Sequence, residues 1–453
     1  MSRTFKTVDY EAARDLTVRL GDCLPPEHLA CFVVDSVALL DLSALYARYG
    51  SRGGEPYAPA VLLALLLYGY ATGVFSSRKI ERATYEAVPF RFIAGNRHPD
   101  HDTIAAFRRT FLPDLKALCV HVLLLAQEAG VLTVGTISLD GTKVHADASK
   151  SKAVSYKRLV EREAHLRAEV EELFALAERL DERERPDGLV VQDEIARRAD
   201  RLARLAEAKA VIEARARDRD ALEQAAYEET MAQRAEREQA TGHRSRGRVP
   251  TPPVQGPRAN DQYTCTDPDA PHEEPNGPGR RPRQDYNAPV AVDQHSLLIV
   301  GTSLSNHPND KAEAEPTLAA IPPEGGRPDA AAMDTGYGSA ATLAACASRD
   351  SEPYIATGRE PHHQRWQERF APEPDPPPED ASARVKMAYK LKTAVGKAIY
   401  GARKYTVEPV LGIITEVRGF RPFSLRGVDA AAGEWCLVCL AFNLKRFHTL
   451  SPV

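Results

Sequence analysis

The chain has 453 residues, enough for two or three domains with a sizeable core. Apolar content of 43% and charged content of 27% are those of an ordinary globular protein and exclude a fibrous or low-complexity chain. Net charge is −4, which on average argues against a polyanionic partner, but residues 381–426 hold ten Lys or Arg against only Glu408 and Glu416, and local charge is what steers a polyanion.

The opening MSRTFKTVDYEAARD is charged and lacks an apolar core, so no secretory signal is expected. Seven cysteines, odd in number and irregular in spacing, suit a reducing cytoplasm better than a disulfide framework. Residues 1–131 read as all helical. Pro25 and Pro26 open a helix holding Leu29, Phe32, Val33 and Val37, and Asp41 to Tyr49 is a second. Pro59 starts an apolar helix whose dense run, Val61 to Leu67, is too short for a membrane span and suits a buried core. Ser76 and Ser77 can cap Arg78 to Ala87, and Asp102 or Thr103 can cap Ile104 to Phe111. Arg108 and Arg109 beside Phe107 give the last of these a basic face, as in a helix-turn-helix module laid in a major groove. His98, Asp100, His101 and Asp102 have no matching partner cluster and read as loop and cap residues.

Thr136 to Leu139 is a β-branched apolar run, hence a strand. Asp140-Gly141 then has two readings: the tight turn of a hairpin, or the carboxyl end of a central strand where Asp140 can hold a metal. Residues 150–240 are rich in Glu, Arg and Ala. Leu159, Leu166, Val170, Leu173, Ala177 and Leu180 form a heptad seam, and after a turn at Pro186-Asp187-Gly188 the spacing resumes at Ile195, Leu202, Leu205 and Ile212. The spacing predicts an antiparallel helical hairpin. Residues 241–288, with Arg280, Arg281 and Arg283, read as a flexible basic linker. Strands are expected at Val290–Val292, Ser296–Ser303, Ala330–Met333 and Tyr354–Thr357, with helices Lys311–Ala320 and Ala340–Ala347 between. A Pro-rich loop, Gly358 to Asp380, precedes a basic helical stretch, Arg384 to Lys404. The chain closes on an apolar helix, Glu434 to Phe447, whose Cys436 and Cys439 are core residues.

Asp140 and Asp334 each follow a strand, and Glu408 falls among the closing helices. Three carboxylates so placed can converge at one edge of a mixed sheet, and oxygen ligands that leave positions open for water and phosphate suit Mg²⁺. Two such ions ~4 Å apart can activate one oxygen and stabilise the leaving one at phosphorus. Asp293 also ends a strand and competes with Asp334.

These residues stand in motifs: LDGTK at 139–143, DTGYG at 334–338, and Tyr400, Arg403 and Glu408 in YGARKYTVEPVLG. With LYGYATGVFSSRKIE at 67–81, HPDHDTIAAFRR at 98–109, YNAPVAVD at 286–293 and GEWCLVCLAFNLKR at 433–446, they resemble the DDE-type insertion-sequence transposases of bacteria, closest to the branch numbered eleven-eighty-two. The resemblance implies an α/β protein: a ribonuclease-H-like mixed-sheet catalytic core with an all-α N-terminal domain and an inserted helical hairpin, a coiled-coil arm. The expected domains are a helical DNA-binding domain at 1–131, the first part of the core at 132–150, the hairpin at 151–240, the linker at 241–285 and the rest of the core at 286–453.

The resemblance further implies a catalytic and metal-binding triad of Asp140, Asp334 and Glu408, with two Mg²⁺ ions or Mn²⁺ in their place. The expected substrate is double-stranded DNA, both element ends and target, with Tyr400 and Arg403 placing the ends. Lys143, Lys386, Lys390, Lys397, Lys404, Arg418, Arg421, Arg108 and Arg109 complete the expected DNA contacts. The protein is expected to be cytoplasmic, on the nucleoid when bound to DNA, without a membrane partner, and a homo-oligomer in a synaptic complex. Three departures stand out. The lysine that usually follows the tyrosine–arginine–glutamate motif falls at Thr415, with Arg418 or Arg421 as substitutes. The stretch 267–283 is irregular, and DTGY replaces Asp-Ala-Gly-Tyr. A catalytically silent relative, repressing its own element, shares every basic and helical feature, and a cleavage assay separates the two.

Overall fold

The computed structural model describes residues 19–49, 56–112, 115–148, 153–181, 191–241, 243–244, 247–264, 266–270, 272–273, 283–307, 310–358 and 374–451. The expected turn at Pro186–Gly188, Arg280, Arg281 and most of the Pro-rich loop lie outside them. The chain divides into two compact units. One comprises Met1–Lys143, Asn287–Ser424 and Asp429–Val453; the other comprises Val144–Tyr286 and Leu425–Val428.

In the first unit, seven helices precede the sheet: α1 (Leu29–Ala38), α2 (Ser43–Ala47), α3 (Pro59–Thr72), α4 (Ser77–Glu86), α5 (Val88–Ile93), α6 (His101–Phe111) and α7 (Leu115–Glu128). Pro59 sits in the first turn of α3, where its missing N–H costs nothing. α3 is apolar on all sides because it is enclosed on all sides, from Leu62 to Ala71. No single helix among the described residues is long and apolar enough to cross a membrane. The cap of α6 is Asp100, whose Oδ1 accepts from Thr103 N at 2.8 Å, so the helix starts earlier than the expected cap at Asp102 or Thr103. His98 and His101 are taken up by Thr84 and Glu81 on α4.

The sheet is mixed. β1 (Thr136–His145) lies between β5 (Arg283–Asp293) and β7 (Ala330–Met333), β8 (Glu352–Ile355) follows β7, and β6 (Ile299–Thr302) and the two-residue β4 (His272–Glu273) pair with β5. β1, β7 and β8 run parallel, and β5 and β6 antiparallel. This α/β architecture is consistent with a ribonuclease-H-like core. Strand alternation sends Ile137, Leu139, Ala331 and Met333 to one face. There they pack with Leu123 of α7, Leu318 of α10 (Ala314–Ala319), Ala345 of α11 (Ala340–Ala347) and Phe447. Ala330, Ala332 and Tyr354 meet Leu391 and Ile399 on the other face. One expectation is corrected here: β1 runs unbroken through Asp140-Gly141, so this pair is neither a hairpin turn nor a strand end.

The basic stretch forms α12 (Ala383–Lys390), α13 (Ala394–Gly401) and a 3-10 turn, Ala402–Tyr405. α14 (Val407–Gly412) continues into a π-helical turn, Ile413–Val417. The closing helix, α15 (Val428–Leu450), is buried through most of its length, Cys436 and Cys439 included.

In the second unit, α8 (Tyr156–Asp181) and α9 (Val191–Thr241) run antiparallel, as the pairs Tyr156–Glu213, Glu163–Lys209 and Glu169–Arg198 require. Leu159, Ala208 and Ile212 close on Tyr263 of β3 (Gln262–Thr264), which pairs with β2 (Ala153–Ser155). Residues 247–261, expected as a flexible linker, lie along α9 through Arg219–Asp261 and Arg258–Glu223. Composition does not reveal such partners, which are 35 or more residues apart.

Candidate active site

Two parallel strands bring the first two acids together. β1 and β7 pair in register up to Leu139 and Met333, and the next residue on each chain is Asp140 and Asp334. Asp334 caps the 3-10 turn Thr335–Tyr337, accepting from Gly336 N at 2.8 Å. Asp140 accepts from the Gly141 amide at 2.9 Å and from Arg403 Nη2 at 2.7 Å. Burial pushes the Asp140 carboxyl up to about 6; Arg403 opposes this, while Asp334 and Asp310 reinforce it. Arg403 is the reverse case. Burial works against its charge, but Asp140, Tyr400 and Asp334 outweigh that and hold it above its ordinary value. The pair is therefore lopsided, because one guanidinium faces more than one carboxylate.

Asp310 is the acid that sequence reading missed. It sits in a loop before α10, where NHPND carries no strand or helix signal. Its Oδ1 accepts from Asn287 Nδ2 of β5 at 2.7 Å. Tyr337, fully buried, faces Asp310, Asp140 and Asp334; burial first, then these carboxylates, holds its hydroxyl far above the ordinary tyrosine range. Both Tyr337 OH and Asn287 Oδ1 are buried without a hydrogen-bond partner. Two glycines keep the space between these groups open. A Cβ on Gly141 would stand 3.1 Å from Asn287 Oδ1, 3.3 Å from Tyr337 OH and 3.4 Å from Asp310 Oδ1. One on Gly336 would stand 3.0 Å from Asp334 Oδ1 and 3.3 Å from Asp310 Oδ2. No three His, Cys, Asp or Glu side chains among the described residues form a ready metal-holding group. The donor chemistry nonetheless fits a hard divalent cation: all the donors are oxygens, and two of them are buried and unanswered.

The other expected residues fall in several places. Glu408 is exposed in the first turn of α14, with no ion pair among the described residues. Its segment is anchored on β1, since Thr406 Oγ1 lies 2.8 Å from Ser138 Oγ. Asp293 is 1% exposed and holds the turn after β5, accepting from both Ser296 N and Ser296 Oγ. Tyr400 lies under the Arg403 guanidinium at 5.8 Å. Lys386, Lys397 and Lys404 are exposed, whereas Lys390 is tied to Glu352 and lies over the Tyr354 ring at 4.0 Å. Lys143 is half-buried on β1. Arg418 packs over Phe442, and burial lowers it to about 10. Arg421 is exposed and pairs with Glu416. Thr415 donates back to Leu411 O inside its helix. Arg109 is exposed, but Arg108 is not on the basic face expected of it. It is buried, and donates to Tyr70 OH at 2.8 Å and to Phe75 O. Its side chain is committed to the interior, because the acid it needs, Glu434, is also inside.

The mixed sheet carries Asp140 and Asp334 on adjacent parallel strands, just past the last paired residues, Leu139 and Met333. A family model described as a transposase domain (DUF772) matches residues 18–110, and one described as a transposase DDE domain matches residues 377–448. These two matches support a DDE-type insertion-sequence transposase. No curated protein and no solved structure matches it.

Proposed function

We propose that this protein binds the terminal inverted repeats of its own element, in the branch numbered eleven-eighty-two. It cuts phosphodiester bonds at the element ends and joins the freed 3′-hydroxyls to target DNA. The observation that carries the reading is the register of β1 and β7, which sets Asp140 beside Asp334. Asp140 and Asp334, with Glu408 from α14, would hold Mg²⁺, two ions in all, or Mn²⁺. When bound, such ions supply charge stabilisation at phosphorus and a more acidic attacking oxygen. Water attacks in the first step and the 3′-oxygen of the cut strand in the second, so no covalent enzyme intermediate is needed. Arg403, released from Asp140, and Tyr400 hold the end in place. Lys386, Lys397 and Lys404 lead the backbone in, and Arg109 and Arg421 add outlying phosphate contacts. The helices before residue 131 contribute end recognition, and the α8–α9 pair an arm. Two ends must be held together, so the working form is a homo-oligomer, in the cytoplasm on nucleoid DNA.

A duplex carrying the inverted repeats that flank the gene tests this. With Mg²⁺, the wild type should nick at the repeat ends. Asp140→Asn and Asp334→Asn should bind the duplex as wild type does and leave it uncut. Nicking by either variant at the wild-type rate would sink the assignment.

A further inference from the structure

We propose that Asp310, oriented by Asn287, is a further ligand of the divalent-cation pocket where the β1–β7 pairing stops. The inference rests on the active-site reading above and adds a residue to it. Asp310 differs from an ordinary loop acid in three ways. It is half-buried, its carboxylate is lodged between Gly141 and Gly336, and the charged groups facing the same space include Asp140 and Asp334. Its one side-chain donor among the described residues is a neutral amide, Asn287 Nδ2, which cannot offset the charge.

The orientation of Asn287 follows from this. A carboxylate only accepts, so the amide must turn its Nδ2 to Asp310. That leaves Asn287 Oδ1 aimed at the position a Gly141 Cβ would take, where Tyr337 OH and Asp310 Oδ1 also point. Three oxygens from three separate chain segments thus converge on one small space beside Asp140. Two of them are buried and unpartnered. Asp310 Oδ1 and Asn287 Oδ1 only accept, and the Tyr337 hydroxyl, which could donate, has no partner; a cation among them would take a lone pair from each, and glycines at 141 and 336 keep room for it. A strut role for Asp310, holding its loop to β5 through Asn287, accounts for the hydrogen bond. It does not account for the unanswered oxygens or for the second acid beside it.

The test is Mn²⁺ binding to the full chain, followed by electron paramagnetic resonance of the free ion, with thermal unfolding in EDTA and in Mn²⁺ alongside. Asp310→Asn should weaken Mn²⁺ binding at least tenfold and abolish the Mn²⁺-dependent rise in Tm. Its Tm in EDTA should equal or exceed that of the wild type, because repulsion between carboxylates is relieved. Gly141→Ala, which puts a methyl group among the three oxygens, should weaken Mn²⁺ binding too. If Asp310→Asn binds Mn²⁺ as wild type does while Asp140→Asn does not, the pocket stands without Asp310 and the inference falls. A lowered Tm in EDTA with unchanged Mn²⁺ affinity would make Asp310 a strut. Unchanged binding in both Asp140→Asn and Asp310→Asn would overturn the inference and the active-site reading together.

Discussion

Arg108 and Glu434 meet among the helices of the larger unit, and Arg403 and Asp140 meet on its sheet. Both contacts are between a buried arginine and a carboxylate, yet their surroundings differ. Glu434, fully buried, accepts from Tyr70 OH at 2.8 Å, from Ser424 N at 2.8 Å and from Ser424 Oγ, with Arg108 Nη1 at 3.6 Å. One acid there is met by several donors. At the sheet the proportion is inverted: Asp140 and Asp334 share one guanidinium, Asp310 adds a third carboxylate beside Asp140, and Tyr337 OH and Asn287 Oδ1 have no partner. A buried charge is tolerated when its partners are complete and is costly when they are not. In the first cluster the acid is fully met, which makes it a structural joint, and Arg108 Nε is the atom left without a partner. The second is short of positive charge, which is the condition for binding a cation.

The contrast is broken most severely from the helical side. Glu434→Ala leaves Arg108 buried without its acid and should cost about 3–5 kcal/mol in urea unfolding. Asp140→Asn, by comparison, should change stability by no more than about 1 kcal/mol, because Asp334 remains to face Arg403 and repulsion among the carboxylates is relieved. Equal losses in the two variants would mean that both clusters are structural.

Arg403→Ala sharpens the comparison. Removing a positive charge beside Asp140 should tighten Mn²⁺ binding by about tenfold or more. Weaker binding would make Arg403 part of the ion's support rather than its competitor.

Much of this frame is readable from sequence, and the exceptions have a common cause. The strand Ala330–Met333 and the helix Ala340–Ala347 are found at their expected limits, because a short apolar run and a Ser339 cap are local signals. Asp140 and Asp334 are legible because each directly follows such a run. Asp310 has no local signal; only the distant Asn287, Gly141 and Gly336 give it a place. Arg108 misleads in the same way, since its meaning depends on Tyr70 and on a glutamate 364 residues beyond that tyrosine. Asp140-Gly141 carries a turn signal, but the glycine is needed for the space around it, and β1 continues through. α5 is six residues long and too short for periodicity to detect.

The basic stretch offers a smaller effect. Lys390 is bound to Glu352, whereas Lys386, which donates to Glu379 O, and Lys397 and Lys404 are exposed. Changing these three to Gln should flatten the log–log salt dependence of duplex binding by about two to three units. Fluorescence anisotropy over a salt series measures it, and an unchanged slope would move the DNA path elsewhere.

The smallest expected effect lies in the α8–α9 pair, where acids are matched by bases. Hydrogen bonding from Lys209, then from Arg167, holds Glu163 below the usual carboxylate range. A depressed acid stabilises the fold above its unfolded pKa, and that contribution is lost as pH falls through the folded one. Glu163→Gln should therefore cost about 1 kcal/mol or less near neutrality and progressively less in acid, followed by urea unfolding at several pH values. A cost that grows in acid would contradict the pairing.

The central claim is that the cation binds at Asp140 and Asp334, where the β1–β7 pairing stops. Fe²⁺ in place of Mg²⁺, with ascorbate and peroxide, generates hydroxyl radicals that cut the polypeptide beside the bound metal. Sequencing the fragments should place the cuts around residues 140, 310 and 334, and Asp140→Asn should abolish them. Cuts concentrated elsewhere in the chain, or unchanged in that variant, would contradict it.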